Sequence, residues 1–147
     1  MNEIGNQVGL SLSIINRAAQ SYFTRELKHL EIGPGMQAYL LAIELNEVIS
    51  QDILSKRLSV DKANVTRAMK SLEQLALIKR ETDILDQRKN LISLTKKGSI
   101  VKNEIITISQ KWIEILKSSL EEGEWNTFNN SLLKIIENLE DIKTNTK

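Results

Sequence analysis

Between Ser50 and Leu75 the chain offers two short amphipathic stretches only three residues apart, and that spacing restricts what can form there. The hydroxyl of Ser50 is placed to cap free backbone amides, and Ile53, Leu54 and Leu58 follow on one helical face, with the helix ending near Leu58. Ser59-Val60-Asp61 leaves room for nothing but a turn, and Asp61 is a strong N-cap for a further helix. In that helix Val65, Ala68, Met69, Leu72 and Leu75 recur at helical spacing. The opposite face displays Lys62, Asn64, Thr66, Arg67 and Lys70, all cations or hydrogen-bond donors, with no acidic residue before Glu73. Its first turns therefore suit a polyanion.

The flanking segments are read from the same periodicities. Val8, Leu12, Ile15, Ala19, Tyr22 and Phe23 form the stripe of an amphipathic helix from about Val8 to Leu30, which Gly33-Pro34-Gly35 ends. A short second helix is expected from Met36 to about Leu45. After Leu77 the period shortens: Ile78 to Thr82 and Leu91 to Leu94 read as strands joined by a mostly polar connection. Helical spacing returns beyond Thr95 through Val101, Ile105, Ile108, Trp112, Ile115 and Leu120. Gly123 is expected to break the chain before a last helix through Trp125, Phe128, Leu132, Ile135, Ile136, Leu139 and Ile142. Helix, tight turn, helix with a donor-rich face, then hairpin describes a winged helix-turn-helix.

Charge supports that order. Net charge is only +1, but residues 51–102 carry 12 Lys+Arg against 6 Asp+Glu, a net of +6, while the flanks together carry −5. A basic middle third between acidic flanks fits a chain that presents its centre to nucleic acid. The 147 residues fit one domain. No apolar run reaches the length of a membrane span, and Met1-Asn2-Glu3 opens no targeting signal, so no membrane is implied and a cytoplasmic protein is expected. With no cysteine and a single histidine, His29, there is no thiolate chemistry and no histidine cluster for a metal. No cofactor motif occurs: there is no G-x-S-x-G and no phosphate-binding glycine loop. Ser59-Val60-Asp61-Lys62 matches S-x-x-K formally, without its companion motifs. Glu121, Glu122 and Glu124 have no partner base, and an enzyme is not expected.

Arg80, then Asp86-Gln87-Arg88, then Leu94-Thr95-Lys96-Lys97-Gly98 resembles the wing and wing exit of the MarR family of bacterial transcription regulators. Ile53-Leu54-Ser55-Lys56-Arg57-Leu58, Val65-Thr66-Arg67 and Leu72-Glu73 resemble the same family's two helix-turn-helix helices, in the correct order. The motifs span roughly Ile32 to Gly98, and the rest matches by helix layout. The resemblance implies a mainly α fold with a small β-hairpin wing: a single domain over residues 1–147, with the winged lobe at 32–98 and dimerisation helices at 1–31 and 99–147. It implies a repressor that binds a near-palindromic operator on double-stranded DNA as a homodimer. Asp86 and Arg80 would structure the wing, and Arg88 would enter the minor groove. Lys62, Asn64, Thr66 and Arg67 are the expected base readers, with Arg57, Lys70 and Lys89 on phosphates. The family's frequent control by small aromatic or amphipathic molecules makes Tyr22, Tyr39 and Trp112 candidate pocket residues for a small apolar ligand. One departure stands out. The family's usual glycine at the end of the recognition helix is Ala76 here, and a left-handed conformation there would cost alanine of order 1 kcal/mol. The alternative left open by sequence is an architectural DNA-binding or protein-interaction module without a ligand response.

Overall fold

The computed structural model describes residues 3–145, with side chains described from Gln7 to Ile142. Met1 and Asn2, on which the reading of the chain's opening partly rests, lie outside the described residues. Two compact units are distinguishable, one running to Ser109 and the other from Gln110.

Helix α1 spans Glu3–Glu26, starting earlier and ending earlier than its apolar stripe suggests. A single 3-10 turn, Lys28–Leu30, takes up the remainder, closed by Glu31 in a left-handed conformation. The next helix, α2, covers Met36–Ala42, three residues short of its expected end at Leu45. Its stop is electrostatic as well as conformational. Ile43 turns to extended backbone, and the freed carbonyls at the helix end are taken by cations from elsewhere. The Lys102 ammonium, only 4% exposed, donates to Leu41 O at 3.0 Å and to Ile43 O. Arg57 donates to the intervening Ala42 O at 2.5 Å.

A two-residue strand that periodicity did not reveal, β1 at Ile49–Ser50, comes next. The Ser50 hydroxyl accepts from Ile53 N, capping α3 at Gln51–Leu58. Ser59 adopts φ +52 and closes α3. The Asp61 carboxylate then accepts from Asn64 N at 2.7 Å, capping α4 at Lys62–Gln74. Strands β2 (Ile78–Thr82) and β3 (Asn90–Leu94) pair in the register Ile78 with Leu94 to Thr82 with Asn90. The other edge of β3 receives β1, giving an antiparallel sheet in the order β1-β3-β2.

The first unit's core lies where these elements meet. Leu40, Ile43, Leu54, Val65, Met69, Leu72, Leu77, Ile92 and Ile105 are fully enclosed there. Helix α5 spans Lys96–Lys117 and supplies Val101, Ile105 and Ile108 to it. Gly98 in its first turn is fixed by proximity. A Cβ at that position would fall 1.8 Å from Leu77 O, so only glycine admits the packing of α5 onto the start of β2. The last helix, α6, spans Glu122–Asn145. Gly123 therefore belongs to its first turn instead of breaking the chain. The stop lies at Ser118–Glu121, and Glu124 accepts from Glu121 N at 2.9 Å to satisfy a free amide at the new helix start.

Candidate nucleic-acid interface

The candidate readers lie at the beginning of α4, and Asp61 is the reason that turn is ordered. Besides capping Asn64 N, its carboxylate accepts from Asn64 Nδ2, and Asn64 Oδ1 in turn accepts from Arg67. Capping and side-chain order thus share one acidic residue. The Thr66 hydroxyl donates to Lys62 O at 2.9 Å and accepts from Gln51 Nε2 at 3.1 Å, tying the exposed face of α4 to the first residue of α3. Lys62 reaches across to Asp52 at 2.8 Å. That ammonium, ahead of the fields of Lys56 and Lys89, holds the Asp52 carboxyl below its usual range. Lys70 is exposed on the next turns.

The wing is ordered by the same chemistry. Asp83 N donates to Lys89 O and Lys89 N to Asp86 O, closing the loop between β2 and β3. The Asp86 carboxylate accepts from Arg88 N at 3.1 Å and lies 3.7 Å from the Lys89 ammonium. Arg80, on β2, is paired with Glu73 of α4 at 2.8 Å, so the wing's base is joined to the end of the helix before it. Among the described residues, no carboxylate lies within ion-pair distance of the Arg88 guanidinium.

Helix and wing meet. Ser50, Gln51, Asp52, Lys62 and Thr66 on one side and Asp86, Arg88, Lys89 and Asn90 on the other enclose a polar cleft of about 410 Å³. Four of the expected DNA-contacting residues line this cleft, from segments more than twenty positions apart.

Arg57 is not among the residues lining that cleft. Arg57, expected on a phosphate, makes a bidentate pair with Glu47, with Nη2 and Nη1 each 2.8 Å from a carboxylate oxygen, besides its bond to Ala42 O. Three hydrogen bonds thus tie its guanidinium, still more than a third exposed, to the link between α2 and β1. The Arg57 guanidinium, together with Glu44 N, brings the Glu47 carboxyl down to about 2. Glu47 went unnoticed because it lies in a stretch with no periodicity. Of the three aromatic candidates, Tyr22 and Tyr39 lie in the first unit. Tyr22 is a core residue whose hydroxyl donates to Ile108 O at 3.1 Å. Trp112 belongs to the second unit. Tyr39 faces an open cleft of about 420 Å³, with Met36, Leu58, Val60, Asn64 and Arg67.

The end of α4 answers the question that Ala76 raised. Ala76 has φ +57; its amide donates to Glu73 O and that of Leu77 to Leu72 O, the paired bonds of a Schellman termination. Thr95 secures the same corner from the wing exit, donating to Ala76 O at 2.7 Å and accepting from Gly98 N at 2.9 Å. Among the described residues, no cluster of three or more His, Asp or Glu is arranged for a metal, and no helix is long and apolar enough to cross a membrane.

Known proteins share this arrangement. The sequence profile of the MarR family matches residues 38–89. The chain is 31% identical to the HTH-type transcriptional regulator BilQ of Clostridioides difficile (strain CD3), over 84% of its own length and 80% of that protein's. To the HTH-type transcriptional regulator YybA of Bacillus subtilis (strain 168) it is 28% identical, over 95% and 91%. Among solved structures, a MarR protein from Peptoclostridium difficile superposes with a TM-score of 0.88 at 29% identity, covering 99% of this chain and 93% of that one. The transcriptional regulator SlyA gives a TM-score of 0.87 at 26% identity, covering 99% and 100%. Winged lobe, basic cleft and sequence kinship lead to one conclusion: the chain belongs to the MarR family of DNA-binding transcription regulators, which are not enzymes.

Proposed function

We propose that this regulator is a cytoplasmic homodimeric repressor that binds a near-palindromic operator with α4 in the major groove and the wing in the adjacent minor groove. The observation that carries this reading is the cleft in which Lys62 and Thr66 of α4 face Arg88 and Lys89 of the wing. One face thereby offers base-edge donors and a long cation to neighbouring grooves of one duplex. Lys62, Asn64, Thr66 and Arg67 read bases, while Lys70 and Lys89 hold phosphates and fix the register. Arg57 is left out of this set because three hydrogen bonds to Glu47 and Ala42 O hold its guanidinium at the link between α2 and β1. In a dimer the two α4 helices enter successive major grooves about 34 Å apart.

The test is selection from random duplexes. The chain should enrich an inverted repeat, and Arg88→Ala should weaken its binding by about 1–3 kcal/mol, chiefly where the flanks are rich in A·T. Binding should weaken steeply with salt, because each neutralised phosphate releases counterions. A pool that enriches no motif would turn the assignment to an architectural DNA-binding protein.

For control, a small apolar or aromatic ligand fits the cleft beside Tyr39, whose volume lies in the range of small-molecule sites. Asn64 and Arg67 line that cleft and are also base readers, so a ligand there competes for the side chains DNA needs. A coupling of about 1–3 kcal/mol is enough to release an operator. A thermal-shift screen of phenolic and other amphipathic compounds, with hits retested on the selected duplex, decides this. Compounds that raise the melting temperature without weakening DNA binding would remove the ligand from the proposal.

A further inference from the structure

The apex of the wing carries a feature that groove-reading cations do not explain. Between Thr82 and Asn90, where the strand register ends, the loop places Ile84 and Leu85 almost wholly in solvent, 94% and 96% exposed. No other large aliphatic side chain among the described residues approaches that exposure. The loop is also built to hold them there. Asp83 accepts from Leu85 N at 2.9 Å and Asp86 from Arg88 N at 3.1 Å, while Asp83 N donates to Lys89 O and Lys89 N to Asp86 O. Both aspartates are thus engaged by the loop's own amides, and the apex is a closed turn with two bare aliphatic side chains between them.

We propose that Ile84 and Leu85 form an apolar wedge that enters the minor groove beside each half-site and partly unstacks one base step. This rests on the DNA-binding arrangement proposed above. Small apolar side chains inserted between base steps kink duplexes in other minor-groove proteins, and pyrimidine-purine steps open most readily. The occupant is argued from continuity. Within four residues of the pair lie Arg88 and Lys89, which line the cleft shared with α4. A duplex seated on that cleft brings its flank to the apex. A second protein surface is a poorer match, since a stable interface needs on the order of 800 Å² from each partner, far more than two side chains provide. One or two side chains suffice for a wedge. Specificity then has a component that comes from how easily the flank deforms.

The probe is the duplex enriched by the full chain, with 2-aminopurine replacing adenine at successive flank positions. Binding of the wild-type chain should brighten the fluorophore at one step in each flank. The double substitution Ile84→Asn with Leu85→Asn touches no buried contact, so its circular dichroism and melting should match the wild type. It should bind about ten-fold more weakly and abolish the brightening. Its salt dependence should stay unchanged, because no cation is removed; Arg88→Ala should flatten that dependence. A tight wild-type complex with no brightening at any step, or brightening that survives the double substitution, overturns the wedge and leaves the DNA assignment standing. Failure to enrich any duplex overturns the operator reading and, with it, a wedge beside each half-site. Vesicles of anionic lipid serve as the control surface: co-sedimentation that the double substitution abolishes, with duplex binding unaltered, reassigns the apex to a membrane.

Discussion

At Ala76 a single methyl group is held in a backbone region that favours glycine. Three hydrogen bonds hold it there, from its own amide, from that of Leu77 and from the Thr95 hydroxyl. Ala76→Gly should therefore stabilise the protein by about 0.5–1 kcal/mol, raising the urea midpoint without altering the slope of the transition. Glu47 gives a second residue-scale expectation. Its carboxyl ordinarily titrates near 4.5 and is lowered to about 2 in the fold, first by Arg57 and then by Glu44 N. A depressed carboxylate contributes stability that is fully present above 4.5 and is lost as the pH falls toward 2. Glu47→Gln should cost about 1 kcal/mol at neutral pH, after allowance for solvent screening, and nearly nothing at pH 2. Thermal melts of both proteins between pH 2 and 7 would check this. The contrast with Asp61 shows what sequence conveys at this scale. A cap acts three residues along the chain, so Ser50 and Asp61 are legible as caps. The partner of Arg57 lies ten positions back in an aperiodic link, and no local pattern announces it.

Among the elements, α3, α4 and the two wing strands are legible because each matches a period over its whole length. Strand β1 is not, having two residues and hence no period at all. The end of α2 is misread for another reason. Leu45 continues the apolar spacing, but the carbonyls of Leu41, Ala42 and Ile43 are claimed by Lys102 and Arg57, contacts that reach across the fold. Gly123 shows the converse error, since a glycine in a first helical turn is tolerated where acidic Glu122 and Glu124 favour the helix start. The candidate interface divides in the same way. The cations of α4 and the wing were visible from residue type and spacing, whereas the meeting of Thr66 with Gln51 and the bare apex of the wing were not. Helix α4 also offers a test of its own order. Asp61→Ala should cost about 1 kcal/mol in denaturant unfolding. It should also speed hydrogen exchange at the Asn64 amide, the group whose acceptor is removed.

For the whole molecule, the exposed apolar residues matter most. Val8, Leu12 and Ile15 on α1, and Ile135, Ile136, Leu139 and Ile142 on α6, are about half exposed, more apolar surface than a lone chain of this size ordinarily leaves wet. A second copy would cover them, so sedimentation at micromolar concentration should give about twice 16.7 kDa. Ile136→Glu combined with Leu139→Glu should return it to the monomer mass while leaving the winged lobe folded. The basic middle and acidic flanks were plain from sequence, because net charge needs no coordinates. The three carbonyls at the end of α2 have a mechanical meaning beyond their stability. Two cations, one rooted in α3 and one in α5, grip consecutive peptide groups of a third helix, with Glu44 and Glu47 as their counter-charges. A joint pinned from two sides transmits displacement without absorbing it. On the arrangement proposed above, a shift of α5 at Lys102 should draw α2 and α3 with it and should appear as a change in the angle presented to the duplex.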